Sequence, residues 1–183
     1  MKNNLLRIIG GEWRSRRLSF PDVPNLRPTP DRVRETLFNW LQMQIPHARC
    51  LDLFAGSGAL GLEALSRGAK TVVMVEKHPA AVQALRDNVA LLQADGAVLV
   101  HDDALRYLQR EGEGFDVIFL DPPFRHDFLS RVLEIIHARG LLNPDGVIYL
   151  EQEAEAAVAS YERFGLQIHR QTKAGQVQSL LLK

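Results

Sequence analysis

The chain has 183 residues, 46% of them apolar and 24% charged, and its 22 basic and 22 acidic side chains cancel. That is the size and make-up of one ordinary globular domain with a short appendage. No apolar run approaches the ~20 residues needed to span a bilayer. The start, Met1-Lys2-Asn3-Asn4, has no export pattern, and the single Cys50 can form neither an internal disulfide nor a metal cluster. The chain therefore reads as a cytoplasmic protein without membrane contact.

The charge balance hides an asymmetry. Residues 1–36 hold eight Lys or Arg against four Asp or Glu, and seven of the eight are arginines. A basic piece on a slightly acidic body points to an anionic partner, and the arginine fork suits phosphate. Residues 5–20 read as a small β-ribbon, with Leu5–Ile9 going out, Gly10-Gly11 as a turn or bulge, and Arg17–Phe20 returning. Its tip, Trp13-Arg14-Ser15-Arg16-Arg17, sets a ring among guanidiniums, a mixture suited to single-stranded or irregular RNA. Trp13 also suits the plainer task of anchoring the ribbon to the body.

A proline-rich linker, 21–28, leads through Arg27 to Thr29-Pro30-Asp31. Thr29 is expected to cap a helix that starts at Pro30, buries Val33, Leu37, Trp40 and Leu41, and closes at Pro46. Arg32 and Arg34 extend the basic run. From residue 49 short apolar runs alternate with amphipathic ones. Strands are expected at 49–54, 71–76, 97–101, 115–120 and 146–150, and helices at 58–67, 79–93, 103–109, 127–138 and 153–161. The alternation predicts a doubly wound α/β sheet. Only six residues separate the strands expected at 165–169 and 176–182, too few for a crossover helix, so that pair must be antiparallel.

The first parallel strand runs into Asp52-Leu53-Phe54-Ala55-Gly56-Ser57-Gly58-Ala59-Leu60-Gly61. Gly56, Gly58 and Gly61 meet the G-x-G-x-x-G pattern of cofactor loops, and Glu76 follows at the end of the second strand to meet a ribose hydroxyl. The pattern alone is weak, since Gly61 also fits helix–sheet packing and Glu76 a solvated strand end. Asp52, just ahead of the loop, would repel a pyrophosphate and suits a cofactor carrying positive charge. Asp102-Asp103 closes the third strand and Asp121 the fourth, so acids end four successive strands, where ligands of open α/β sheets bind. S-Adenosyl-L-methionine matches that row, with its ammonium toward Asp52, its ribose diol toward Glu76 and its adenine amino group toward Asp103. Clustered acids also suit a metal, but the Asp-x-Asp-x-Asp-Gly spacing is lacking and none is expected. His101 reads as structural.

The fourth strand ends in Asp121-Pro122-Pro123-Phe124. The prolines stiffen the turn and present carbonyl oxygens, Asp121 adds acceptors, and Phe124 adds a flat face. That set suits a planar ligand with an amino group, such as a nucleobase, although a turn that merely stops the strand has the same residues.

Asp52-Leu-Phe-Ala-Gly-Ser-Gly together with Asp121-Pro-Pro-Phe resembles the class I amino methyltransferases that use S-adenosylmethionine. Four further segments extend the likeness over essentially the whole chain: Arg7-Ile-Ile-Gly-Gly-Glu-Trp-Arg, Arg27-Pro-Thr-Pro-Asp-Arg-Val-Arg-Glu-Thr-Leu-Phe-Asn-Trp, Gly58-Ala-Leu-Gly-Leu-Glu-Ala-Leu-Ser-Arg-Gly-Ala and Ala174-Gly-Gln-Val. With them the chain resembles the RsmD family, the bacterial 16S ribosomal RNA guanine-N2 methyltransferases. Ser15 stands where that family often has Gly, and Pro30 where Thr is common.

The resemblance implies a Rossmann-like, seven-stranded, mainly parallel sheet with an antiparallel last strand. It implies a basic arm and linker over 1–28 and a methyltransferase domain over 29–183. The expected reaction is methylation of guanine 966 in small-subunit RNA, on an assembling ribosomal subunit, by a monomer that releases S-adenosyl-L-homocysteine. Cofactor positions fall on Asp52, Ala55, Gly56, Ser57, Gly58, Glu76, Lys77, Asp103 and Ala104. Asp121, Pro122 and Phe124 fall at the target base. RNA contacts are expected from Trp13, Arg14, Arg16, Arg17, Arg27, Thr29, Arg32, Arg34 and Pro123. The tetrapeptide by itself also serves adenine-N6 enzymes. A nicotinamide oxidoreductase using the glycine loop, or a non-catalytic RNA-binding protein on the same fold, are the readings from other classes.

Overall fold

Short β-branched runs with buried faces on both sides form the centre of the molecule, as expected of parallel strands covered by helices. The computed structural model describes residues 3–24, 26, 28–122, 128–153 and 160–183. The elements in chain order are β1 (Asn3–Arg7), β2 (Arg17–Pro21), α1 (Asp31–Trp40), β3 (Arg49–Asp52), α2 (Ala59–Ser66), β4 (Thr71–Glu76), α3 (Pro79–Leu92), β5 (Ala97–His101), α4 (Ala104–Arg110), β6 (Phe115–Leu120), α5 (Phe128–Ala138), β7 (Leu142–Glu153), a 3-10 turn (Tyr161–Phe164), β8 (Ile168–Ala174) and β9 (Val177–Leu182).

Seven strands form one sheet in the order β5-β4-β3-β6-β7-β9-β8. The pairs among β5, β4, β3, β6 and β7 are all parallel, while β9 runs antiparallel to both β7 and β8. The tail hairpin is therefore antiparallel, as its short connection demanded, and its last strand is inserted between its own partner and the parallel body. The order reverses between β3 and β6, and a crevice opens at such a switch point beyond the carboxyl ends of the strands. Asp52 and Asp121 flank it.

Each face of the sheet has its own core. One face packs Leu37 and Phe38 of α1, Leu62 of α2 and Leu85 of α3 against Cys50, Met74, Phe119 and Tyr149. The other packs Leu108 of α4, Val132 and Ile136 of α5, and Phe164 against Leu51, Val73, Ile118 and Leu150. Cys50 is the buried small apolar residue its position suggested, and burial raises its thiol pKa to about 12.

The ribbon β1–β2 is a separate two-stranded sheet, yet Leu6, Ile8, Leu18 and Phe20 belong to the same core as α1 and α2. A lone hairpin is marginal in water, and this one gains its stability by burying one face on the body.

Several boundaries differ from expectation; β3 ends at Asp52, not at 54, and β8 spans Ile168–Ala174 where 165–169 was expected. The α1 helix starts at Asp31, not Pro30, and the Thr29 side chain does not cap it. It also ends at Trp40, and hydrogen-bonded turns carry the chain to Ile45. The helix expected over 153–161 is contradicted at its first residue, because Glu153 pairs with Val177 in the sheet. Residues 154–159 lie outside those described. β7 is longer at both ends than its apolar run, and a register shift between Phe115 and Val117 absorbs the Pro144-Asp145-Gly146 segment.

Candidate active site

The glycine loop between β3 and α2 is built from backbone that side chains rarely tolerate. Gly56 and Gly58 have φ of 51° and 81°, in the left-handed region where a Cβ is costly. A Cβ on Gly58 would sit 2.6 Å from Leu85 and 2.8 Å from Leu62, whereas one on Gly56 would meet nothing closer than 3.8 Å. Gly58 is thus required by packing, whereas Gly56 is required by its left-handed backbone, since a Cβ there would make only ordinary contacts with Leu26 and the Phe54 carbonyl. Gly61 is the packing glycine, because a Cβ there would meet Met74 at 2.8 Å. Ala55, Ser57 and Ala104 are buried, and Lys77 is exposed.

Each acid of the row has a distinct setting. Asp52 is 3% exposed and its Oδ2 accepts the Gly61 N–H at 2.9 Å. Burial lifts its pKa to about 7, against the pull of that N–H, and the Glu76 charge adds to the rise. Glu76 bridges the loop and its own strand end, with Oε2 accepting from Gly56 N–H and Oε1 from His78 N–H. Asp103 caps α4 through Oδ1, which accepts from Leu105 and Arg106 N–H. Its neighbour Asp102 is neutralised by Arg106 and Arg110 at 2.7 and 2.6 Å. That pairing separates two adjacent acids that the sequence alone leaves equivalent. His101 lies 3.2 Å from the Lys77 carbonyl, a structural contact.

Asp121 follows β6 directly and is half-buried, with Pro122 buried beside it. Burial raises the Asp121 pKa well above the usual carboxylate range, and the charges of Glu151 and Asp52 raise it further. Pro123 and Phe124 lie outside the described residues, as does Arg27, and after Pro122 the described chain resumes at Phe128.

The strand order turns the list of acids into a spatial row: Asp103, Glu76, Asp52, Asp121 and then Glu151 on β7. Glu151 was not among the expected site residues. It ends the apolar run Val147–Leu150 just as the other acids end theirs, so the same rule would have found it. Thr29 is also buried, at 6% exposure, and its hydroxyl donates to Glu151 Oε1 at 2.9 Å. It therefore faces the acid row and not the outer surface expected of an RNA contact.

The basic residues divide in two. Arg14, Arg16, Arg17 and Arg32 are exposed. Arg34 is fully buried, which removes it from the expected phosphate contacts. Its guanidinium donates to the carbonyls of Thr29 and Arg7, and pairs with Asp31 and Glu63. Trp13 packs against the core, and its backbone N–H donates to Ser66 Oγ, so the anchoring role is realised.

Elsewhere, a hollow of about 660 Å³ opens near Arg49 and Thr71, where β3 and β4 begin. That is the opposite end of the strands from the acids. Among the described residues no three His, Cys, Asp or Glu converge to hold a metal ion, and no helix is long and apolar enough to cross a membrane.

The chain is similar to known proteins. The family model described as Conserved hypothetical protein 95 matches residues 6–183. The chain is 46% identical over 172 residues to the ribosomal RNA small subunit methyltransferase D of Escherichia coli strain K12, covering 94% of this chain and 86% of that protein. It is 39% identical over 165 residues to the protein of the same name from Haemophilus influenzae, covering 88% and 86%. A solved structure of the Escherichia coli protein yhhF superposes with a TM-score of 0.87 at 46% identity, over 98% of this chain and 97% of that one.

Proposed function

This chain belongs to the Conserved hypothetical protein 95 family, the RsmD methyltransferases, and from that membership we propose that it methylates the exocyclic N2 of a guanine in 16S ribosomal RNA, guanine 966 by family resemblance, using S-adenosyl-L-methionine. The observation that carries the reading is the spatial row Asp103, Glu76, Asp52 and Asp121 across adjacent strand ends, with Asp121-Pro122 at the switch point.

The residues fit the cofactor. Gly56 presents bare backbone in the left-handed region, and Asp52, Glu76 and Asp121, which form no salt bridge among the described residues, favour a cationic ligand over a pyrophosphate. Asp52 would face the ammonium, Glu76 the ribose diol, and Asp103 the adenine amino group through the oxygen not used in capping α4. When bound, S-adenosyl-L-methionine supplies an electrophilic methyl group.

The protein's task is to prepare the amine. The guanine N2 lone pair is delocalised into the ring, which makes it a poor nucleophile. The Asp121 carboxylate and the Pro122 carbonyl accept its two N–H groups and draw it toward a tetrahedral shape. The gain comes from orientation and from polar groups fixed in advance. Asp121 would take the proton that the amine releases on methylation, directly or through water. Its raised pKa suits a proton acceptor working near neutral pH. Stacking on a base swung out of the RNA is assigned to Phe124 on its chemistry alone.

Exposed Arg14, Arg16, Arg17 and Arg32 support the arm and the start of α1 as the phosphate-binding surface for RNA, presented on an assembling small subunit. The decisive experiment is mass spectrometry of small-subunit RNA from a strain lacking this gene. Loss of one N2-methylguanine, restored by the gene, is expected. Loss of an N6-methyladenine with every N2-methylguanine intact would overturn the choice of base.

A further inference from the structure

Glu151 is a buried carboxyl group with no basic partner among the described residues, and burial raises its pKa above the usual carboxylate range. It is 6% exposed, and among the described residues no Arg, Lys or His lies in salt-bridge range. Buried carboxylates are normally paired. Here two hydroxyls serve instead. Thr29 Oγ1 and Tyr149 Oη both donate to Oε1 at 2.9 Å, and Tyr149 Oη lies 3.1 Å from Ser179 Oγ. A phenol has one proton, so Tyr149 donates to Glu151 and accepts from Ser179. Thr29 and Tyr149 thus converge on one oxygen, and Ser179 of β9 holds the Tyr149 hydroxyl from behind. Oε2 accepts no hydrogen bond from any described residue.

The position gives the second oxygen a purpose. Leu120 on β6 pairs in parallel register with Leu150 on β7, so Asp121 and Glu151 are the next residues on neighbouring strands. Adjacent strands lie about 4.8 Å apart. Phe119 and Tyr149, two residues earlier on each strand, contact on the same face with ring centroids 6.4 Å apart. Two carboxylates therefore stand side by side at the catalytic edge.

We propose that Glu151 is a specificity-determining residue that accepts the ring N1–H beside the target amine, and so selects guanine. Among the bases with an exocyclic amine, guanine alone carries a donor on the adjacent ring nitrogen. Adenine N1 and cytosine N3 are acceptors there and would set a lone pair against the carboxylate. Asp121 takes the amine and Glu151 takes N1–H, with Thr29 and Tyr149 as positioning residues. The inference rests on the guanine-N2 reading above and supplies the discrimination that Asp121-Pro122-Pro123-Phe124 lacks.

The test uses small-subunit particles assembled with either guanine or 2-aminopurine at the target position. 2-Aminopurine keeps the 2-amino group, replaces N1–H with a bare nitrogen and lacks the 6-oxo group, so the change of preference in a Glu151 variant is what isolates the N1 contact. The wild-type enzyme is expected to favour guanine by about 100-fold or more in kcat/KM, since a site built to bond an N–H rejects the analogue lacking it. In Glu151→Gln the amide keeps an acceptor for Thr29 and Tyr149 and can donate to the bare nitrogen. The preference should then fall at least about tenfold, with affinity for S-adenosylhomocysteine unchanged. A purely structural residue would slow both substrates alike. Equal use of both by the wild type, an unchanged ratio in Glu151→Gln, or loss of S-adenosylhomocysteine affinity with the ratio intact would each overturn the proposal. A wild-type enzyme inactive on guanine particles would instead overturn the guanine reading, and this inference with it.

Discussion

Arg34 and Glu63 meet at 3.4 Å with both side chains fully removed from solvent. Glu63 also accepts the N–H groups of Ile9 and Gly10 at 2.8 Å and the Arg67 guanidinium at 2.7 Å. Arg34 reaches the Arg7 carbonyl and the Thr29 carbonyl. This one pair therefore ties the ribbon, the linker, α1 and α2 together. Removing one partner strands a buried charge, which costs about 3–5 kcal/mol. Glu63→Ala should lower the urea midpoint accordingly and weaken RNA binding, although Glu63 is buried away from any RNA. An unchanged midpoint would show that the ribbon is held by its apolar face alone.

Asp121→Ala should reduce methyl transfer by about 10²–10⁴, the usual range for a positioned acid–base group. Calorimetry with S-adenosylhomocysteine should show affinity close to wild type, because Asp52, Glu76 and Asp103 remain. Full activity in the variant would remove Asp121 from the chemistry.

Arg14, Arg16 and Arg17 are exposed, and of the three only Arg16 makes a side-chain hydrogen bond among the described residues, at 3.3 Å to the Leu91 carbonyl. Changing all three to Ala should flatten the plot of log affinity against log salt by about 2, from roughly 0.7 per single-strand phosphate contact. An unaltered slope would leave the arm with a structural role only.

Asp52 makes stability depend on pH. Its folded pKa of about 7 lies above the ordinary 3.8, chiefly through burial. The unfolded chain ionises first as pH rises, so the contribution is fully present below about pH 3.8 and is lost by about pH 7. Asp52→Asn keeps an acceptor for the Gly61 N–H without the charge. At pH 8 it should melt higher than wild type, by about 2–4 °C per kcal/mol recovered. The gap should narrow toward pH 4, and cofactor affinity should fall. A gap that does not change with pH would show that Asp52 is not the group responsible.

The sequence carried the architecture, because strand and helix periods are local. β4, β5 and β6 occupy the expected 71–76, 97–101 and 115–120, and His78-Pro79 starts α3 where expected. The antiparallel tail followed from chain length alone, and the acid row followed from which residue ends each strand. What needed the tertiary structure was each side chain's surroundings. Arg32 and Arg34 look alike in a basic run, yet a helix turns successive residues to different faces, and only Arg34 meets Glu63. Asp102 and Asp103 are adjacent, yet two arginines neutralise one and the other caps a helix. Thr29 lies beside a helix start, yet its hydroxyl bonds a carboxylate 122 residues away. Local pattern sets where the backbone goes. Which polar group finds which partner is decided by contacts between segments far apart in the chain, and those contacts exist only once the sheet has assembled.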